Sequence, residues 1–155
     1  MTAAAGIGRW PDRQGDGRYR KDGALFVYGS LPFPEVLVTL IDRVPDRRPA
    51  MAEGWRAAAI PNEVYPGLVP GESIVRGYLL TGLTPEEWRL LDAFESPFYE
   101  LKRVELTDGS HGWAYACTPD VVGPEDWSAE QFEAQHLAAF AERCAAWRGG
   151  YEVQE

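Results

Sequence analysis

One short stretch near the N-terminus constrains the fold of this chain more than any other. Residues 25–31 read Leu-Phe-Val-Tyr-Gly-Ser-Leu, and Pro32 and Pro34 follow immediately. The apolar, strand-forming residues predict a central strand over residues 24–28 that is buried on both faces. Gly29 permits a sharp turn and close approach to the backbone, and such a turn leaves main-chain N–H groups free to bind an anion or a polarised carbonyl group. The sequence therefore predicts a binding site where this strand ends.

Turn residues, caps and apolar periods predict the remaining elements. A strong helix start lies at Thr84-Pro85-Glu86-Glu87, because threonine caps, proline takes the first helical position and Glu87 completes a capping box. Asp108-Gly109 predicts a hairpin turn. The other predicted elements are a short helix from Pro34, strands over residues 54–60 and 75–80, an extended loop over residues 61–73, a strand over residues 99–106 with a bulge between Leu101 and Val104, and a returning strand on which Trp113, Tyr115 and Cys117 share one face.

A last helix is predicted from Ser128 to Gly149. Its inward stripe consists of Phe132, His136, Phe140, Cys144 and Trp147. Hairpins and scattered helices together predict an α+β fold, with a small, strongly curved mixed sheet or barrel and short flanking helices.

Length and charge limit the class of protein. At 155 residues, we expect one domain over residues 23–150, after a flexible tail over residues 1–22. The net charge of −9 argues against nucleic acid and anionic membranes as partners. No apolar run approaches the roughly 18 residues that span a bilayer, and the N-terminus lacks the apolar core of a secretory signal. Cys117 and Cys144 are typical of buried free thiols in a reducing cytoplasm, where we expect the protein to act.

Glu95 occupies an unusual position for a carboxylate. It lies four residues after Leu91 and seven after Trp88, so helical spacing puts it on the apolar side at the C-terminal end of its helix. Desolvation raises a carboxyl pKa, and the negative end of the helix dipole opposes a negative charge by about 0.3–1 kcal/mol. Both effects penalise the ionised form of this side chain.

Helical spacing leaves two interpretations of Glu95 open. The side chain turns outward or pairs with Arg89, Lys102 or Arg103, as surface glutamates do. Alternatively, it is a carboxyl of raised pKa in a pocket, and such shifts cluster at functional sites.

Four motifs in order resemble those of a known family. They are Tyr28-Gly29-Ser30-Leu31, the segment Tyr65-Pro66-Gly67-Leu68-Val69-Pro70-Gly71, then Val75-Arg76-Gly77, and Leu91-Asp92-Ala93-Phe94-Glu95 with Tyr99 and Arg103 soon after. Taken together they resemble the gamma-glutamylcyclotransferase-like family, of the gamma-glutamylamine cyclotransferase type. The similarity covers about residues 24–118.

The resemblance implies a small barrel-like α+β domain that closes gamma-glutamyl groups into 5-oxoproline and releases the free amine. By position, it implies that Glu95 is the acid/base residue. It also implies that the glutamyl group is held by Tyr28, Gly29, Ser30 and Leu31. The resemblance further implies that Tyr99 and Tyr115 line the pocket. The partner is then a small gamma-glutamyl compound, and no metal or organic cofactor is required. A binding or regulatory module without turnover, on the same fold, is the alternative function.

Other enzyme classes fit the residues poorly. Ser30 follows a strand and a glycine, but the Gly-x-Ser-x-Gly pattern of serine hydrolases is absent around it. The chain has two histidines, His111 in a predicted turn and His136 on the last helix. That separation predicts neither a catalytic triad nor a metal site.

Overall fold

The structure is a computed structural model that describes residues 23–95 and 97–151. The predicted tail over residues 1–22 lies outside these residues. In chain order the elements are β1 (Leu25–Val27), α1 (Pro34–Ile41), β2 (Asp46–Ala59), β3 (Pro66–Thr81), α2 (Pro85–Glu95), β4 (Glu100–Glu105), β5 (His111–Ala116), a short 3₁₀ turn (Pro119–Val121), α3 (Ala129–Gln135) and α4 (Leu137–Gly150).

The five strands form one mixed sheet in the order β2-β3-β1-β5-β4. β1 lies at the centre, antiparallel to β3 and parallel to β5. Beyond the end of β4, the Thr107 N–H donates a 2.9 Å hydrogen bond to the carbonyl of Met51 in β2, so the two edge strands approach each other. The sheet nevertheless stays open. The α+β class is confirmed, and of the two predicted forms the structure has the open sheet rather than the closed barrel.

The predicted loop over residues 61–73 is wrong for most of its length. Residues from Pro66 onward belong to β3, with Pro66 opposite Ala59 and Pro70 opposite Trp55 in β2. β1 pairs with β3 at residues 78–80, so the proline-containing half of β3 has β2 as its ladder partner. Apart from β2, the Cys117 N–H donates a 3.1 Å hydrogen bond to the Leu68 carbonyl, and this link requires no N–H group from Pro66 or Pro70, so proline is tolerated in this half of β3.

The bulge predicted between Leu101 and Val104 is also wrong. β4 pairs with β5 in continuous register from Glu100 to Glu105. Leu101 and Val104 belong to two different apolar clusters, one on each side of the sheet, so the phase shift reflects a strand buried on both faces. The register shift lies in β2 instead, next to Gly54, whose φ of +89° favours glycine.

The core has two parts, and β1 contributes to both. Leu25 and Val27 pack in the larger cluster with residues of the helices, whereas Phe26 packs in the smaller cluster on the other face. Tyr115 on β5 and Cys117 directly after it belong to the larger cluster, and Trp113 packs against that cluster, so the predicted alternation is confirmed. The helices therefore pack against the face of the sheet to which Leu25 and Val27 of β1 belong.

The helix caps follow the sequence closely. Thr84 and Glu87 form the predicted capping box, since the Glu87 N–H donates to Thr84 Oγ1 at 3.1 Å and the Thr84 N–H donates to Glu87 Oε1 at 3.0 Å. The predicted last helix is two helices, broken at His136, whose φ is −131°. Its inward stripe is buried at Phe132, Phe140 and Cys144. Among the described residues, no helix combines the length and apolarity that membrane crossing requires.

Candidate active site

The turn after β1 packs tightly against the start of β3. An added Cβ at Gly29 would lie 2.8 Å from ring carbons of Pro66, while the φ of Gly29 is not positive. Close packing, rather than an unusual dihedral angle, therefore requires glycine here. Within the described part of the chain, the N–H groups of Gly29, Ser30 and Leu31 donate no hydrogen bond to another residue. Such free donors are suited to an anion or a polarised carbonyl.

A cavity of 490 Å³ opens beside this turn. Its lining includes all seven residues singled out in the sequence, which are Tyr28, Gly29, Ser30, Leu31, Glu95, Tyr99 and Tyr115. They come from the turn after β1, the end of α2, the segment before β4 and the C-terminal part of β5. The fold thus brings four separate parts of the chain to one concavity.

Glu95 is the last residue of α2, and its side chain lines the cavity. Burial raises the pKa of its carboxyl from the ordinary value of 4.5 to about 8, and the negative charge of Asp92 adds to the shift. Lys102 and Arg103 pair instead with Glu100 and Glu105, at 3.4 and 3.5 Å. Over residues 23–95 and 97–151, the Glu95 carboxyl forms no ion pair, so its geometry is that of a pocket carboxyl rather than a surface glutamate.

The three tyrosines around Glu95 have their hydroxyl protons engaged. Tyr28 donates to the Tyr115 carbonyl at 2.5 Å, Tyr99 to the Pro66 carbonyl at 2.6 Å, and Tyr115 to Asp92 Oδ1 at 2.7 Å. Burial raises the pKa of the hydroxyls of Tyr28 and Tyr99 well above the ordinary value. The raised pKa favours the neutral hydroxyl at both positions, and both side chains line the cavity.

Comparison with known proteins identifies the family. The family model described as gamma-glutamyl cyclotransferase, AIG2-like, matches residues 25–134. The chain belongs to this AIG2-like family. The match covers the sheet, the turn after β1, and α2 with Glu95, which are the elements that form most of the cavity.

Relatives and solved structures support this assignment. AIG2-like protein C from Arabidopsis thaliana is 39% identical over 122 residues, which span 72% of this chain and 69% of that protein. A solution structure of another Arabidopsis thaliana protein, 29% identical, has a TM-score of 0.58 and covers 86% of this chain and 96% of that one. The crystal structure of an AIG2-like protein from Mus musculus is 21% identical with a TM-score of 0.54, covering 70% of this chain and 90% of that one, and shows the fold alone.

One wall of the AIG2-like cavity was missed by sequence reasoning. It comes largely from α4, which begins at Leu137, beyond the end of the family match at residue 134. The lining residues from α4 are Phe140, Arg143, Cys144, Ala146 and Trp147. The apolar stripe predicted for the last helix identified Phe140, Cys144 and Trp147 as inward-facing, but it did not show that they face a cavity. Burial raises the pKa of the Cys144 thiol to about 12, so it stays protonated.

The two histidines lie away from this cavity. His111 Nδ1 lies 3.3 Å from Arg103 Nη2 on an exposed part of the sheet, and the His136 ring packs 6.4 Å from that of Phe132. Neither lines the cavity with Ser30, so the residues for a serine-hydrolase triad are not brought together. Within the described ranges, no group of three or more His, Cys, Asp or Glu side chains is arranged to hold a metal ion.

Proposed function

We propose that this AIG2-like protein is a gamma-glutamyl cyclotransferase. It converts a gamma-glutamyl amine, amide or peptide to 5-oxoproline and the free amine, with Glu95 as general acid and base. The observation that carries the proposal is that the Glu95 carboxyl, of raised pKa, shares one cavity with the turn at Gly29-Ser30. Family membership supports the reaction class. The free, buried thiols of Cys117 and Cys144 agree with a reducing compartment such as the cytoplasm.

The reaction is an intramolecular acyl transfer. The α-nitrogen of the substrate bonds to its own γ-carbonyl carbon, and the bond from that carbon to the leaving nitrogen breaks. Effective molarities of about 10⁵–10⁸ M are typical of well-oriented intramolecular reactions. The α-ammonium gives up two protons in becoming the lactam N–H. One is lost to solvent before attack; the other passes to Glu95 and then to the leaving nitrogen, and the released amine takes a further proton from water.

The raised pKa of Glu95 suits both proton transfers. An ordinary glutamate, with a pKa of about 4.5, is a weak base at neutral pH. With a pKa of about 8, the Glu95 carboxylate accepts a proton more readily and returns it as an acid of matched strength. General acid–base catalysis of this kind contributes about 10²–10⁴-fold.

The N–H groups of Gly29, Ser30 and Leu31 supply the electrostatic part of the mechanism. They bind either the γ-carbonyl oxygen, on which negative charge develops, or the α-carboxylate of the substrate. Loss of one donor to a developing oxyanion costs about 10²–10³-fold in enzymes where it has been measured. In both arrangements the glutamyl group lies between the turn and Glu95.

Incubation with a panel of gamma-glutamyl compounds, followed by detection of 5-oxoproline, tests the proposal. We expect product from the wild-type protein and a loss of about 10²–10⁴-fold in kcat for Glu95→Gln. Glu86→Gln, at an exposed position in the first turn of the same helix, is the matched control and retains activity. Full activity of Glu95→Gln contradicts its role as acid and base. Saturable binding without product favours a binding or regulatory module instead.

A further inference from the structure

Six aromatic side chains line one part of the cavity and contact one another. We call them the aromatic wall, which consists of Tyr65, Phe94, Phe98, Tyr99, Phe140 and Trp147. Ring centroids are 5.0 Å apart for Phe94 and Trp147 and also for Phe98 and Tyr99. The Tyr65 ring joins the two ends, with centroids 6.2 Å from those of both Tyr99 and Phe140. Aromatic rings pair favourably in edge-to-face or offset contacts, so rings that line a cavity are suited to a further flat, apolar group.

Part of this wall is open to solvent. Phe98 is 41% exposed and lines the cavity, so this end of the wall is accessible from solvent. A cavity of 490 Å³ also has room for more than a glutamyl group, since pockets of about 300–1,000 Å³ hold drug-sized ligands. The glutamyl group is assigned to the turn and Glu95, so the aromatic wall remains for the leaving group.

Arg143 is the cation among the residues that line the cavity. Its guanidinium carbon lies 5.3 Å from the centroid of the Phe140 ring, one turn earlier on α4, which holds the charge over the wall. Burial and the negative charges of Glu63 and Glu95 raise the pKa of the Tyr65 hydroxyl, and the positive charge of Arg143 opposes this rise. Within residues 23–95 and 97–151, Arg143 forms no salt bridge. A guanidinium in this position favours a carboxylate on the leaving group and disfavours a second ammonium.

We propose that the leaving group is an aromatic α-amino acid, whose ring packs on the aromatic wall and whose carboxylate pairs with Arg143. The substrate class is then the gamma-glutamyl derivatives of aromatic amino acids such as phenylalanine. This assignment rests on the proposed cyclotransferase function and adds no chemical step to it. The α-nitrogen of the amino acid is the leaving nitrogen that receives the proton from Glu95.

Four compounds separate the two recognition elements. They are gamma-glutamyl-phenylalanine, gamma-glutamyl-phenethylamine without the carboxylate, gamma-glutamyl-alanine without the ring, and the gamma-glutamyl isopeptide of the lysine side chain. We expect the highest kcat/KM for gamma-glutamyl-phenylalanine. For each of the other compounds we expect kcat/KM to be lower by about tenfold or more, because the charge-assisted contact or the buried ring is missing.

Arg143→Gln tests the charge pair directly. We expect kcat/KM to fall about tenfold for gamma-glutamyl-phenylalanine and to stay unchanged for gamma-glutamyl-phenethylamine. Arg89→Gln, an exposed arginine on α2 that does not line the cavity, is the matched control and changes neither value. Equal turnover of the four compounds overturns the assignment, and so does an equal loss on both aromatic compounds in Arg143→Gln.

Calorimetric binding to the Glu95→Gln protein reports the leaving-group site separately from turnover. Absence of 5-oxoproline from every compound contradicts the cyclotransferase function. Tighter binding of gamma-glutamyl-phenylalanine than of gamma-glutamyl-phenethylamine, lost on adding Arg143→Gln, still supports the aromatic and anionic site. Equal binding of both compounds contradicts that site even where product forms.

Discussion

The hydroxyl of Tyr115 donates a 2.7 Å hydrogen bond to Oδ1 of Asp92, a side chain with 0% exposure. The bond joins β5 to α2 one helical turn before Glu95. It holds a carboxylate close to Glu95, and that negative charge adds to the effect of burial on the Glu95 pKa. The packing of the sheet against α2 is therefore coupled to the acid–base behaviour of the cavity.

Asp92→Asn removes this charge while its amide oxygen still accepts from Tyr115. We expect the pKa of Glu95 to fall, because burial and the Asp92 charge both raise it and the second of these is lost. The acidic limb of kcat/KM, which rises as Glu95 ionises, then moves to lower pH. A pH–rate profile measures the shift, and Glu86→Gln, which removes an exposed carboxylate from the first turn of the same helix, is the control. A limb that stays in place in Asp92→Asn contradicts the coupling.

Glu95→Gln should change how stability depends on pH. Below the ordinary pKa of 4.5, Glu95 is protonated in both the folded and the unfolded chain. Between 4.5 and about 8 the unfolded chain loses this proton and the folded chain retains it, so the wild type loses stability as pH rises. Because glutamine does not ionise, the variant gains in free energy of unfolding relative to the wild type across this window. Urea unfolding at several pH values checks this, and a constant difference between the proteins argues against a raised pKa.

Gly29→Ala tests the tight packing of the turn. The new Cβ would lie 2.8 Å from the Pro66 ring, so the turn or β3 must shift. Overpacking of this kind costs about 1–3 kcal/mol, and we expect lower activity as well because the N–H donors move. Gly149→Ala, which meets no atom within 4 Å, is the control and leaves activity unchanged. Thermal unfolding and 5-oxoproline release measure the two effects, and a fully stable, active Gly29→Ala protein would rule out this account of the turn.

Tyr99→Phe separates structural from catalytic roles of the tyrosines. It removes the donor to the Pro66 carbonyl, and an unsatisfied buried carbonyl costs about 1–3 kcal/mol of stability. The raised pKa of Tyr99 keeps its hydroxyl neutral, so we expect the pH–rate profile of the variant to have the same limbs as that of the wild type. Denaturant unfolding and the pH–rate profile test this together. Disappearance of a limb in the variant is the result that assigns Tyr99 a proton-transfer role instead.

Local signals in the sequence predicted the start of the site correctly. The apolar run into Gly29 predicted β1 and its turn, and helical spacing from Trp88 put Glu95 on the apolar face of α2. The resemblance to a family added Tyr99 and Tyr115, which line the same cavity as Glu95. The strand, its turn and the apolar face of the helix depend on neighbours within a few residues, where backbone preferences and periodicity decide the conformation.

Local patterns in the sequence were sufficient to predict β1, the capping box at Thr84, the hairpin at Asp108 and the inward stripe of the last helix. Only the tertiary structure decided that Pro66 and Pro70 lie in a long strand, because their tolerance depends on pairing with β2 rather than on local propensity. It also decided that Asp92 meets Tyr115 and that Arg143 reaches the cavity. Such contacts join positions far apart in sequence, and they arise from how α2 and α4 pack on the sheet, which no local pattern specifies.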